Sequence, residues 1–414
     1  MNVTIQPQKL CGTITPPPSK SQAHRLIIAA ALADGESVLS NVAFSQDILA
    51  TLSCMEQLGA RWEQVDGYTI RVTGISAGQP RRQADGVPHF DCGESGSTLR
   101  FLIPIALAVA GGGVFTGRGR LMERPQKPYF DLFDEKEIYW EQKDGALTVR
   151  GTLESGVFSL PGNVSSQFFT GLLYALPLLD GDSRINSTTE LESRSYIAMT
   201  LDALKGCGVT VDAPEGNTGA FSVPGGQRYA SAKRCVEADW SQAGFWYAAM
   251  ALGNLVDVNG MNEMSRQGDK VVADAFVKLS RSGEVELDVA DCPDLVPPLA
   301  AMAAVREGTA RIVHAARLRI KESDRLAAVT TAMNALGAQI EELSDGLVIH
   351  GVETLRGGVS VDACNDHRIA MMTAVAATRC TQPVTITGAE CVKKSYPNFW
   401  EDYEMLGGVI TREG

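Results

Sequence analysis

A small polar cluster, an apolar run, a glycine or a charge, and then a short stretch rich in β-branched residues: this order recurs six times along the 414 residues of the chain. The clusters are Ser19-Lys20-Ser21 before Leu26 to Leu32, Gly96-Ser97-Thr98 before Leu99 to Ala110, and Ser165-Ser166-Gln167 before Phe168 to Leu179. They continue with Asp239-Trp240-Ser241 before Phe245 to Leu252, Asp294 before Leu295 to Val305, and Asn365-Asp366-His367-Arg368 before Ile369 to Ala377. Small polar residues at the head of an apolar run predict a capped helix start. The stretches that follow (Ser37 to Val42, Gly113 to Gly117, Ser183 to Ser187, Leu255 to Gly260, Thr309 to His314, Pro383 to Gly388) read as strands bounded by Gly, Asp or Asn.

A second pattern alternates with the first: an amphipathic helix that stops near glycine and runs into a strand. Leu52 to Leu58 with Gly59, Ile197 to Leu204 with Gly206, Leu326 to Leu336 with Gly337, and Trp400 to Leu406 with Gly407 show it clearly, and Pro128 to Trp140 and Val271 to Gly283 show it loosely. A repeat of about 55 to 75 residues with two helices and several short strands predicts six α/β units. Because one core rarely grows beyond about 250 to 300 residues, two lobes of three units are expected.

One stretch breaks the rules that the others obey. In Arg317-Leu318-Arg319-Ile320-Lys321-Glu322-Ser323-Asp324-Arg325, six of nine residues are ionisable, and they stand just before the helix of Leu326, Val329, Met333 and Leu336. A helix N-terminus already presents unpaired N–H groups and positive potential, so cations are disfavoured there. Lys321 and Arg325 would also repel on one face if the helix began early enough to hold both. An anion would resolve the conflict, with Glu322 inside its site. A solvated start neutralised by Glu322 and Asp324 is the competing reading.

Charge sharpens this picture. The chain carries 37 Lys and Arg against 49 Asp and Glu, a net −12, which argues against broad nucleic-acid or anionic-membrane surfaces. Any anionic ligand must be gathered by a local basic cleft, and the polar helix openings suit that task through Lys20, Arg25, Ser165, Ser166, Gln167 and Arg368. The first ten residues lack the features of a secretory signal, and no apolar run reaches membrane-spanning length, so a cytoplasmic protein is expected. Nine cysteines, without a C-x-x-C pair, fit free thiols in a reducing compartment. Cys364 and His367 have no second pair nearby to complete a zinc site.

Familiar nucleotide motifs fail. Pro16-Pro17-Pro18-Ser19-Lys20-Ser21 has prolines where a phosphate loop needs glycines. Gly111 to Gly119 places Thr116 where a dinucleotide fingerprint requires Gly. Gly96, in Gly93-Glu94-Ser95-Gly96-Ser97-Thr98-Leu99-Arg100, serves either turn geometry or close approach of backbone N–H groups to a small anion. For acid–base work the candidates are Glu322 and Asp294, with a lysine among cations as a further proton carrier.

Taken in order, Ser19-Lys20-Ser21 with Arg25, the Gly93 to Arg100 turn, Arg120-Leu121-Met122-Glu123-Arg124-Pro125, Ser165-Ser166-Gln167, Lys321-Glu322-Ser323-Asp324-Arg325, Asn365-Asp366-His367-Arg368 and Lys394 closely resemble the 5-enolpyruvylshikimate-3-phosphate synthases. The match spans residues from about 9 to 407. The resemblance implies a two-lobed inside-out α/β barrel of six βαβαββ units, three per lobe, with helix N-termini facing a cleft. One lobe would comprise 1–15 plus 238–414, carrying the Lys-Glu-Ser-Asp-Arg site. The other would be 16–237, carrying the Ser-Lys-Ser and Ser-Ser-Gln sites. It implies transfer of the enolpyruvyl group of phosphoenolpyruvate to the 5-hydroxyl of shikimate 3-phosphate, without metal or organic cofactor, by a monomer.

By the same resemblance, Lys20, Gly96, Arg124, Gln167, Arg325, Arg368 and Lys394 would meet phosphoenolpyruvate. Lys20, Ser21, Arg25, Ser165, Ser166, Gln167, Ser193, Asp294 and Lys321 would meet shikimate 3-phosphate, with Tyr196 beside the ring. Asp294 is similar to the residue that takes the hydroxyl proton and Glu322 to the one that protonates the methylene carbon, with Lys20 sharing that traffic. Two positions depart from the family pattern: Glu94 and Arg317 stand where neutral residues are usual. Gly96 is retained where glyphosate-tolerant relatives often carry Ala, which implies a glyphosate target. The sister transferase acting on UDP-N-acetylglucosamine is the near alternative, but it uses a cysteine in the loop that is Arg118 to Tyr129 here. A non-catalytic sensor of phosphorylated metabolites would need the basic residues but not Glu322 and Asp294.

Overall fold

The computed structural model describes residues 1–77, 86–213 and 219–414, which form two compact units. One is continuous, Lys20–Glu237; the other joins Met1–Ser19 to Ala238–Gly414. Each has its own apolar core.

In the continuous unit the helices are α1 (Lys20–Leu32), α2 (Gln46–Gln57), α3 (Gly96–Ala110), α4 (Lys127–Glu135), α5 (Ser166–Ala175) and α6 (Arg194–Gly206). In the discontinuous unit they are α7 (Trp240–Ala251), α8 (Val272–Leu279), α9 (Val296–Ala303), α10 (Arg325–Leu336), α11 (His367–Ala377) and α12 (Phe399–Met405). The two sequence patterns correspond to two kinds of helix. α1, α3, α5, α7, α9 and α11 are buried nearly all round; every residue of α9 and α11 is buried. The alternating helices bury one face, as α8 does with Val272, Ala275 and Leu279.

The sheets repeat one topology. Strand His89–Asp91 runs parallel to Gly112–Thr116, which pairs antiparallel with Ala146–Arg150 and that in turn with Tyr139–Lys143. With α3 and α4 interposed, this is one βαβαββ unit. Gly283–Asp288, Gly308–Val313, Gly346–His350 and Gln339–Leu343 repeat it. Chain-distant strands complete two further copies. Lys233–Cys235 pairs with Glu36–Ser40, and Asn2–Gln6 lies between Val384–Thr387 and Val409–Glu413. Val157–Leu160, Ser183–Ser187 and Ala220–Val223 form a shorter copy, and Cys11–Ile14 with Leu255–Val258 a two-stranded one. Among the described residues the sheets are open, and none closes on itself as a barrel of strands. The expected repeated α/β units and wholly buried helices are present, while a closed barrel, among the described residues, is not.

A proline inside α3 shows how tightly the inner helices fit. Pro104 cannot donate to the carbonyl of Arg100 one turn back. That oxygen is instead bonded by the Tyr129 hydroxyl at 2.9 Å, which also reaches Phe168 O at 2.9 Å. Gly171 of α5 leaves the space: a Cβ there would stand 2.4 Å from Tyr129 Oη and 2.5 Å from Arg100 O.

Candidate active site

In the continuous unit, α1, α3 and α5 begin without an acidic residue in the first turn, so the positive ends of their dipoles are not neutralised from within. The predicted residues gather there. Lys20 opens α1, and its Nζ lies 2.8 Å from Asp47 Oδ2 in the first turn of α2. Gly96 opens α3, capped by Ser95, whose Oγ accepts Thr98 N at 3.1 Å. The Arg124 guanidinium rests directly on Gly96, and Arg124 is buried.

Gln167 ties two openings together: its Oε1 accepts Arg100 Nη1 at 2.8 Å and its Nε2 donates to Ser97 Oγ at 2.9 Å. Ser165 caps α5, and Ser166 begins it. Arg25, almost wholly buried, donates to Thr200 Oγ1 at 2.9 Å and to Ser21 O at 2.7 Å. Its guanidinium stacks over Phe101 and Tyr196, at 5.3 and 5.8 Å from the ring centroids. Burial pulls its pKa down to about 10, which still leaves it charged at neutral pH. Ser193 precedes α6 in the left-handed region, φ 56°, a strained conformation for a residue with a side chain, and makes no side-chain capping bond to the helix.

In the discontinuous unit everything turns on Arg325, which is 1% exposed. Its Nε and Nη2 donate to Asp366 at 2.9 and 3.3 Å, its Nη1 to Asp294 Oδ1 at 2.9 Å, and its Nη2 also to Glu322 Oε2 at 2.7 Å. Burial works against the charge, but Asp366, Glu322 and Asp294 outweigh it and hold the guanidinium above its ordinary range. Asp294 has further cations: Arg368 Nη2 at 3.2 Å and Lys321 Nζ at 3.5 Å. Arg368 also donates Nη1 to Ser241 Oγ at 2.8 Å. Lys394, buried, bonds Asn365 O at 2.6 Å.

This corrects the expectation for the charged stretch. α10 begins at Arg325 behind the cap Asp324, and Lys321 is extended, so the two cations share no helix face. The charge of Arg325 is met within the unit by three carboxylates, those of Asp294, Glu322 and Asp366. Arg319 turns elsewhere: it bonds Asp324, Glu342 and the carbonyls of Leu343 and Ser344, clamping a strand end. Arg317 Nη2 is bonded to Ala290 O.

Four residues that matter here were given no role of their own by the sequence, although Arg100 and Asp366 lie inside motifs it marked. Asp47 and Arg100 hold Lys20 and Gln167, Asp366 underlies Arg325, and Asp269 lies buried beside Ser241. Asp366 is also a helix cap, its Oδ1 accepting Arg368 N at 3.0 Å, and that ordinary role hides the second. Among the described residues no three His, Cys, Asp or Glu side chains cluster as metal ligands would, and no helix is long and apolar enough to cross a membrane.

Known proteins resemble this chain over nearly its whole length. The family described as "EPSP synthase (3-phosphoshikimate 1-carboxyvinyltransferase)" matches residues 5–403. A relative from Clostridium acetobutylicum named 3-phosphoshikimate 1-carboxyvinyltransferase is 46% identical, over 99% of this chain and 98% of its own. One of the same name from Clostridium kluyveri is 45% identical over the same shares. The solved EPSP synthase of Acinetobacter baumannii superposes with a TM-score of 0.80 at 23% identity, covering 99% of this chain and 100% of that one, and so has the same fold.

Proposed function

The chain belongs to the EPSP synthase (3-phosphoshikimate 1-carboxyvinyltransferase) family, and from that membership we propose how its residues share the work. The enzyme transfers the enolpyruvyl group of phosphoenolpyruvate to the 5-hydroxyl of shikimate 3-phosphate and releases phosphate, in the shikimate route to chorismate and the aromatic amino acids.

To phosphoenolpyruvate we assign Lys20, Gly96, Arg124 and Gln167 of the continuous unit and Arg325, Arg368 and Lys394 of the discontinuous one. To shikimate 3-phosphate we assign Lys20, Ser21, Arg25, Ser165, Ser166, Gln167 and Ser193, together with Asp294 and Lys321. Both substrates are polyanions, which fits unneutralised helix starts and arginines able to grip phosphate and carboxylate in a bidentate manner. A monomer working in the cytoplasm is the form we assign, and sedimentation of the purified chain checks its size.

In the addition step Asp294 takes the hydroxyl proton as the substrate oxygen bonds to the central carbon of phosphoenolpyruvate. Glu322, protonated, delivers a proton to the methylene carbon. In the elimination step the carbon–phosphate oxygen bond breaks, Glu322 recovers a proton from the new methyl group, and the proton on Asp294 leaves with phosphate. The shared guanidinium of Arg325 carries this reading, because it bonds Asp294 and Glu322 at 2.9 and 2.7 Å and so holds two proton carriers at a fixed spacing.

The test is phosphate release by the purified chain. Release is expected only with both substrates, and Asp294→Asn or Glu322→Gln should lower kcat by about 10² to 10⁴. Release from phosphoenolpyruvate alone, or wild-type turnover in both variants, would reject the assignment.

A further inference from the structure

Among the described residues the buried guanidinium of Arg25 meets no carboxylate, whereas that of Arg325 meets three. What surrounds Arg25 is neutral: the ring faces of Phe101 and Tyr196, the Ser21 carbonyl at 2.7 Å and the Thr200 hydroxyl at 2.9 Å. A buried cation without a counter-charge is costly in the free protein and favours an incoming anion. With no salt bridge to fix the guanidinium, its aim must come from the neutral groups. Ring faces confine it to a layer but let it turn within that layer, and the Ser21 carbonyl holds one terminal nitrogen. The second point of attachment is Nε, and Thr200 Oγ1 is the acceptor there.

Thr200 is built into the fold for this task. It is fully buried on α6, one turn after Tyr196, so ring and hydroxyl share a helix face. Its Oγ1 donates to Tyr196 O at 3.1 Å, which spends its single proton and leaves both lone pairs to accept. Arg25 Nε takes one; the hydroxyl of Thr170 on α5, also fully buried and 2.9 Å away, fills the other. One oxygen thus joins α1, α5 and α6. The backbone of Arg25 is held separately, its carbonyl accepting Tyr174 Oη at 3.0 Å. Thr200 therefore governs the head of the arginine rather than the place of its helix.

We propose that Thr200 is a positioning residue for shikimate 3-phosphate: by taking the Nε–H of Arg25 it turns the remaining N–H groups of that guanidinium towards an anionic group of the substrate. The proposal rests on the assignment of Arg25 to shikimate 3-phosphate.

Thr200→Val keeps the shape of the side chain and removes the oxygen. Titration calorimetry of the purified full chain should show Kd for shikimate 3-phosphate raised about tenfold or more, as for a lost hydrogen bond to a charged group. In steady-state kinetics KM for shikimate 3-phosphate should rise in step, while kcat and KM for phosphoenolpyruvate stay within about threefold. Thr200→Ala removes the same oxygen with less crowding and should lose binding in the same direction, so the outcome does not hang on the folding of one variant. Thr200→Ser restores the oxygen and should bind within about twofold of the parent. Thr170→Val removes the bond behind Thr200 but not the one to Arg25. It should melt earlier yet bind within about threefold of the parent, which separates the aim of Arg25 from general packing.

Parent-like binding by Thr200→Val and Thr200→Ala, binding by Thr200→Ser as weak as theirs, or an equal loss in Thr170→Val would overturn the proposal. Arg25→Met tests the assignment beneath it. If that variant binds shikimate 3-phosphate as tightly as the parent, the assignment of Arg25 fails; if it alone is weakened, the assignment stands and the role of Thr200 fails.

Discussion

A methyl group on Gly96 would stand 2.8 Å from Nη1 of Arg124 and 3.0 Å from its Cζ. The guanidinium occupies the space of a missing side chain. Because the obstructing atoms are the far end of a flexible arginine, Gly96→Ala should fold normally and move Arg124 instead. Since Arg124 is assigned to phosphoenolpyruvate, KM for that substrate should rise about tenfold, which corresponds to about 1.4 kcal/mol of binding. Glyphosate inhibition, expected in the parent, should weaken in parallel. Initial rates over both concentrations decide it, and an unchanged KM would show that the contact does not govern binding.

Glu94, half-buried, lies two residues ahead of the same helix start. A carboxylate there is itself favoured by the helix dipole and so competes with an incoming anion. Glu94→Asn should lower KM for phosphoenolpyruvate several-fold with little change in thermal stability. Equal KM values for the two proteins would leave Glu94 without a part in binding.

Arg325 is both chemical and structural. Replacing it with Met of similar length would strand Asp366, which is fully buried, beside Asp294 and Glu322. Breaking a buried pair from one side typically costs about 3 to 5 kcal/mol. Arg325→Met should therefore lose activity and melt earlier, while the pair Arg325→Met with Asp366→Asn should recover much of the stability and none of the activity. Calorimetry alongside phosphate release separates the two effects.

Two buried titratable groups give opposite pH dependences. His24 in the continuous unit bonds Thr51 Oγ1 through Nδ1 at 2.7 Å, and its Nε2 is buried without a partner. Burial, then Lys20 and Arg25, hold it well below its ordinary 6.5, so the native state binds fewer protons than the unfolded chain. Its contribution is present above pH 6.5 and is lost as pH falls. Asp269 is raised from 3.8 to about 7, so there the native state binds more protons, and stability declines as pH rises from about 4 through about 7. In scanning calorimetry His24→Gln should flatten the acid-side loss and Asp269→Asn the decline towards neutrality. Parallel pH curves for parent and variant would refute either attribution.

Much of the fold was legible because each unit repeats the same two helix patterns, and burial demands different sequences of them. Helices buried all round read as apolar runs behind a polar cap; helices that cover a sheet read as one-sided. Strand Ser183–Ser187 falls where the apolar pattern put it, and Gly308–Val313 lies one residue away. The strand at Asn2–Gln6 was not legible, because its partners are hundreds of residues away and local pattern carries no sign of them. At the site, the cations stood out since they violate the preferences of helix starts. Two of their acidic partners, Asp294 and Glu322, stood out with them, but two did not: Asp366 obeys the rules as a cap, and Asp47 is an unremarkable first-turn acid. Only the folded geometry shows which carboxylates these cations share.

The pairing of Asn2–Gln6 between Val384–Thr387 and Val409–Glu413 has a consequence for synthesis. At roughly 5 to 20 residues per second, that strand waits on the order of 20 to 80 s for its neighbours to be made. The unit Lys20–Glu237 needs no later residue to complete its sheets and can finish within that interval. Protease applied to ribosome-bound chains arrested before Val384 should cut the leading strand while sparing the finished unit. A strand made before the whole of the continuous unit is thus protected only after it.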